Sequence, residues 1–169
     1  MRTVYIDFTR SRKTFPIFSW AVQLFERARY SHVRLHWRSN WFDWSTFEAS
    51  GSSVKLIGAV GFRNYPVKLV HRYEVKLNDA QYKRMVGMLR YAGVSYGAKQ
   101  VFGMALQRLF KLKKNPFGDR KYTMVCSELI AYLLLEVMDI SLGANLDDVG
   151  PRKLKEYMDT RPDVFRKLQ

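Results

Sequence analysis

A single cysteine, Cys126, stands in a chain of 169 residues. That excludes an intramolecular disulfide and any multi-cysteine zinc cluster. Histidines number three, His32, His36 and His71, and none falls in a His-Glu-x-x-His pattern. Long apolar runs are also missing. Residues 129–135 form a short apolar stretch bounded by Glu128 and Glu136, far below the ~18 needed to cross a bilayer. Acidic residues are scarce, 15 against 29 basic. The first residues offer no secretory apolar segment, because Asp7 and Arg10 interrupt it. The expectation is synthesis in the cytoplasm without a signal peptide. There are no internal repeats, low-complexity tracts or linker-like stretches. No metal and no cofactor is expected.

What is present points to a folded domain. Hydrophobic residues make up 47% and aromatics 15%, enough for one packed core over 1–169. A net charge of +14 predicts attraction to an anionic substrate or surface, whether nucleic acid, anionic lipid or an anionic polymer. Small size and high charge also fit a virus-encoded or mobile-element protein, for which the host cytoplasm would be the site of action. Basic residues cluster at Lys111, Lys113, Lys114, Arg120 and Lys121, just before Cys126. That cluster is read as a basic rim for an anionic substrate, against the plainer reading of a solvated face. Trp37, Trp41 and Trp44 with Arg34 and Arg38 could stack bases. A hydrophobic hairpin packed on a sheet is the favoured reading, so nucleic acid is not the preferred partner.

Periodicity divides the chain into a β-rich first half and a helical second half, an α+β pattern. Strands are expected over 4–8, 31–37, 44–50, 54–60 and 67–77. Val33, Leu35 and Trp37 alternate with His32, Arg34 and His36. Helices are expected over 15–30, from Asn78 or Asp79 to about 91, over 98–112, and from Pro151 through 158. One more begins after Thr123, read as its N-cap, with Cys126 in the first turn.

A thiol at a helix start is easily made a thiolate, because the helix dipole stabilises negative charge there. Such a nucleophile needs a base and a group to orient the base. His32 opens one strand and Glu48 lies on the polar face of the next, so adjacent strands could pair them beneath the Cys126 helix. Two histidines at the spacing of His32 and His36 would share a metal if the segment were helical. On a strand they lie roughly 13 Å apart, too far for one ion. His71 is read as an ordinary strand residue.

Tyr30-Ser31-His32-Val33-Arg34-Leu35, Phe47-Glu48-Ala49 and Val125-Cys126-Ser127-Glu128-Leu129-Ile130 together resemble the histidine strand, the acidic strand and the cysteine helix of the permuted NlpC/P60 papain-like hydrolases. The order, histidine before cysteine, is that of the permuted group, and Asp148-Val149-Gly150-Pro151 is similar to the segment that follows their cysteine helix. The chain lacks the Gly-Asp start of many relatives and carries its own basic stretch over 111–121. The resemblance implies a papain-like fold, an antiparallel sheet with packed helices, and a cysteine hydrolase cleaving a peptide or isopeptide amide through an acyl-enzyme. It implies Cys126 as nucleophile, His32 as base and Glu48 as the group that orients it. The Cys126 backbone N–H is then a natural oxyanion donor, with Tyr96 or Tyr122 as candidates for a second donor or a pocket wall. Two alternatives remain. One is a lipid acyltransferase or esterase of the same fold, akin to lecithin:retinol acyltransferase, with the apolar helix over 98–112 lying on an anionic membrane. The other is a non-catalytic basic protein that binds polyanions.

Overall fold

Val4, Ile6 and Phe8 alternate with Tyr5, Asp7 and Thr9 along β1 (Arg2–Ser11), and that strand sits near the middle of the sheet. The computed structural model describes residues 1–12, 17–39, 43–59, 61, 66–117, 123–143 and 145–169. After β1 come α1 (Ile17–Glu26), β2 (His32–Trp37), β3 (Ser45–Ser50), β4 (Ser53–Gly58) and β5 (Val67–Leu77). The second half contains α2 (Asp79–Gly87), a 3-10 turn (Met88–Tyr91), β6 (Ser95–Tyr96), α3 (Ala98–Leu109) and β7 (Thr123–Met124). It ends with α4 (Cys126–Tyr132) and its π-helical continuation (Leu133–Val137), α5 (Pro151–Asp159) and β8 (Arg166–Lys167).

The strands form one sheet in the order β7-β6-β4-β3-β2-β1-β5-β8. The α+β class holds, but the sheet is mixed rather than purely antiparallel. β6 and β7 pair in parallel, Ser95 opposite Thr123 and Tyr96 opposite Met124. A parallel pair needs a long crossover, which α3 and the basic segment provide. This pairing also corrects the expected cap. Thr123 is spent on the ladder and its hydroxyl donates to Gln100 Oε1 at 3.2 Å, while Val125, in extended conformation, is the N-cap of α4. Valine has no acceptor side chain, so only the return half of a capping box forms: Val125 N–H donates to Glu128 Oε2 at 3.2 Å. By contrast α2 has both halves. Gln81 N–H donates to Asn78 Oδ1 at 2.8 Å and Asn78 N–H donates to Gln81 Oε1 at 3.0 Å.

The helix expected over 15–30 ends at Glu26, where Arg27 takes a left-handed φ of 48°. The helix over 98–112 ends at Leu109, before Lys111 at φ 53°. The chain then doubles back along α3. Asn115 Nδ2 donates to Gln100 O at 3.0 Å, and a Cβ on Gly103 would stand 2.0 Å from Asn115 Oδ1. Only glycine admits that approach.

One continuous core joins Val33, Leu35, Trp37, Phe47 and Ala49 of the sheet to Cys126, Leu129, Ile130, Leu133, Leu134 and Val137 of the fourth helix. The opposite face of the sheet is buried as well. Arg34 is 3% exposed and Asp7 is fully buried. Asp7 stands opposite Arg34 on β2 and opposite Arg72 on β5. Arg72 grips it with two bonds, at 2.7 and 2.8 Å, and Arg34 Nη2 lies 3.5 Å from Oδ2.

His36 belongs to this face. It shares a 2.9 Å hydrogen bond with Thr46 Oγ1 and stacks on Trp44 at 4.7 Å. Trp37 is in the core, while Trp41 lies outside the described residues. Burial, against the pull of Asp7, lowers the His36 pKa from 6.5 to about 4. A base that resists protonation only when folded favours the unfolded chain in acid. Stability is full above about 6.5 and falls as the pH drops towards about 4, at no more than about 1.4 kcal/mol per pH unit from this group. Urea midpoints measured across that window should slope less in His36→Gln than in the wild type. Equal slopes would remove His36 from the acid response.

Candidate active site

β2 and β3 pair with Leu35 opposite Phe47 and His36 opposite Thr46. That register sets His32 and Glu48 on one face, one step apart on the diagonal, within reach of each other. His32 Nε2 lies 3.0 Å from Glu48 Oε2. A carboxylate can only accept, so Nε2 carries the proton and Nδ1 is the ring nitrogen left for another partner. Cys126 lies near enough that its charge and its side chain act on His32. Glu48 is itself fixed: its other oxygen accepts from Ser50 Oγ at 2.5 Å, and its side chain is fully buried. The polar-face carboxylate is therefore not solvated. The His32 side chain keeps 16% of its surface exposed.

Electrostatics follow the geometry. Burial works to lower the His32 pKa, but negative charge at Cys126 and then at Glu48, with hydrogen bonds to both, pushes it up to about 10. The imidazolium is therefore the favoured form at neutral pH. Tyr96 stands close by. Burial first, then the charges at Cys126 and Glu48, raise its phenol well above the usual range. It stays protonated, within electrostatic reach of the thiol and the carboxylate.

Cys126 and Tyr96 both line a cavity of about 110 Å³ between α1 and α3, and Pro151 closes part of it. α5 is held there by Glu26, whose Oε2 accepts from Arg152 N–H at 3.1 Å. Ser127 reaches the cavity, and its buried hydroxyl has no hydrogen-bond partner among the described residues. Glu128, which could have been taken for a functional acid, serves the start of its own helix.

Of the residues singled out in the sequence, Cys126, His32, Glu48 and Tyr96 are brought together. Tyr122, Arg120 and Lys121 lie outside the described residues. Lys111, Lys113 and Lys114 are exposed on the segment that doubles back along α3, and none of them lines the cavity. Among the described residues no group of three or more His, Cys, Asp and Glu side chains could hold a metal ion. No helix among them is long and apolar enough to cross a membrane.

Sequence reasoning missed Arg34, Asp7 and Arg72. Arg34 stands beside Glu48 on the polar face, and both Asp7 and Glu48 act on its charge. Arg72, Asp7, Arg34 and Glu48 thus alternate in sign across four neighbouring strands. The available signal was Asp7 itself, a lone charge between the apolar Ile6 and Phe8 in mid-strand.

No protein-family model matches the chain, and no curated protein matches it significantly. A similar solved structure is that of the metalloprotein yiiX from Escherichia coli O157:H7, DUF1105. It has a TM-score of 0.54 and 20% identity, and covers 95% of this chain and 81% of that one. At that identity the likeness is one of fold.

Proposed function

We propose that this protein is a papain-like cysteine hydrolase in which Cys126, His32 and Glu48 cleave an amide bond through an acyl-enzyme. The observation that carries the reading is the His32–Glu48 contact of 3.0 Å, with Cys126 close enough to act on the same ring. It meets the requirements of nucleophile, base and orienting group in one place. Cys126 attacks the carbonyl carbon as a thiolate. The oxyanion that forms is met by the Cys126 backbone N–H and the Tyr96 hydroxyl, which remains protonated. His32 gives its proton to the leaving amine and then takes one from the water that releases the acyl group. Glu48 holds the ring in place and offsets its charge.

Incubation with p-nitrophenyl acetate should leave an acetyl group on Cys126, located by mass spectrometry of peptides. Cys126→Ser should lose the adduct, with turnover falling on the order of 10⁴-fold or more. Acetylation confined to lysines, with turnover unaffected by Cys126→Ser, would refute the reading.

A further inference from the structure

Charges on the second face of the sheet form a row rather than isolated pairs. Asp7 stands opposite both Arg72 and Arg34. One step beyond the Leu35–Phe47 pair, the β2–β3 ladder sets Arg34 against Glu48. His32 closes the row, 3.0 Å from Glu48. Water reaches only the two ends. The Arg72 side chain is 27% exposed and that of His32 16%, against 3% for Arg34 and none for Asp7 and Glu48. With so little solvent to screen them, the inner charges are balanced by one another. Burial opposes the Arg34 charge, and Asp7 first, then Glu48, sustain it. Glu48 is thus divided between two cations, His32 and Arg34, as Arg34 is divided between two anions.

We propose that Asp7 and Arg34 are positioning residues of the site, which set through Glu48 how firmly His32 holds its proton. This rests on His32 being the partner of Cys126. The direction follows from the order of the charges. Without the charge of Asp7, Arg34 falls wholly to Glu48, which then offsets less of the imidazolium, and His32 lets its proton go at lower pH. Without the charge of Arg34, Glu48 serves His32 alone, and the proton is held to higher pH. Neither buried carboxylate is then stranded, because Asp7 keeps its two bonds to Arg72 at 2.7 and 2.8 Å. The other titratable groups around the His32–Glu48 pair are Cys126 of α4, Tyr96 of β6 and Lys55 of β4, opposite Glu48. Both substitutions leave them in place. His36, on which Asp7, Arg72 and Arg34 also act, titrates near 4 and is neutral in the range concerned.

The test is an NMR titration of the His32 ring, its signal assigned by its loss in His32→Ala. The wild-type midpoint is expected near 10. A charge in direct contact moves a titration by about 1–3 pH units, so one acting through a neighbour should move it by about one. Asp7→Asn should lower the midpoint by that amount, and Arg34→Gln should raise it. Opposite shifts separate this role from a merely structural one, since loosened packing returns His32 towards 6.5 in both variants. Shifts in the same direction, or none, overturn the proposal and leave the nucleophile standing. Should Asp7→Asn fail to fold, the wild type decides, because coupling between sites is reciprocal. The Arg34 guanidinium signal must then move with the His32 midpoint, and a guanidinium indifferent to that titration rejects the proposal. If wild-type His32 titrates near 6.5, the pairing with Cys126 fails, and opposite shifts about that lower midpoint still decide whether Asp7 and Arg34 act on His32.

Discussion

Iodoacetamide should alkylate Cys126 at a rate nearly flat from about pH 6 to about pH 9, whereas His32→Ala should give the steep profile of an ordinary thiol. The sign follows from His32. Its pKa is pushed from 6.5 up to about 10 by the negative charges at Cys126 and Glu48. The imidazolium therefore persists through the whole window, and it is the cation that the proposed reading sets against the Cys126 sulfur. Only as the pH rises through about 10 does His32 release its proton and the pairing vanish. Without the imidazole, the reacting thiolate is the small fraction that a thiol of pKa about 8.5 supplies, about 0.3% near pH 6. Allowing for the lower intrinsic nucleophilicity of a stabilised thiolate, the two proteins should differ roughly 100-fold near pH 6. Glu48→Gln should fall between them, since it removes the weaker of the two charges acting on His32. A steep wild-type profile that coincides with that of His32→Ala would break the pair, and the polyanion-binding alternative would then account best for the +14 charge.

The second large effect concerns Asp7, which touches neither Cys126 nor His32. Its carboxylate is fully buried between Arg34, 3% exposed, and Arg72. Asp7→Asn leaves two guanidinium groups facing each other with their shared anion gone. Removing one member of a buried ionic group costs about 3–5 kcal/mol, because the remaining charge cannot recover its water. In a chain of this length that lowers Tm by roughly 6–20 °C. The exposed pair of Arg84 and Asp139 is the control: Arg84→Ala should leave Tm almost unchanged, since solvent screens that contact. Replacing Asp7 and Arg34 together by Leu and Met should recover part of the loss, as apolar groups can substitute for a buried pair. Urea denaturation of the three variants beside the wild type measures each term. A stability loss for Asp7→Asn no larger than that of Arg84→Ala would show that the buried row is not structurally important.

The sequence was most legible where a pattern is local. Val67–Leu77 was readable as a strand from end to end, and a helix cap was readable at Asn78 or Asp79, of which the structure uses Asn78, because a capping bond spans three residues. The alternation in β2 correctly separated Val33, Leu35 and Trp37 from His32, Arg34 and His36. The alternation did not show that the second face is buried as well, with His36 5% exposed and Glu48 fully buried. Trp44 stacks on His36 and the Arg72–Asp7–Arg34 row fills the neighbouring surface. Alternation tells which residues share a face, not what covers it. β6 and β7, at two residues each, are too short to carry a period at all, and their parallel pairing corrected both the sheet type and the cap of α4.

The sequence by itself determined the α+β class, the position of Cys126 at the start of a helix and the presence of His32 and Glu48 on successive strands. Each follows from spacing along the chain or from a short-range cap, where the energy lies within a few residues. Only the tertiary structure decided that His32 directs Nε2 to Glu48 within reach of Cys126, that Arg34 and Asp7 back the site, and that α1 and α3 enclose an apolar cavity beside the thiol. Those depend on strand register and helix packing. Contacts between residues distant in sequence set them, and no local pattern encodes such contacts.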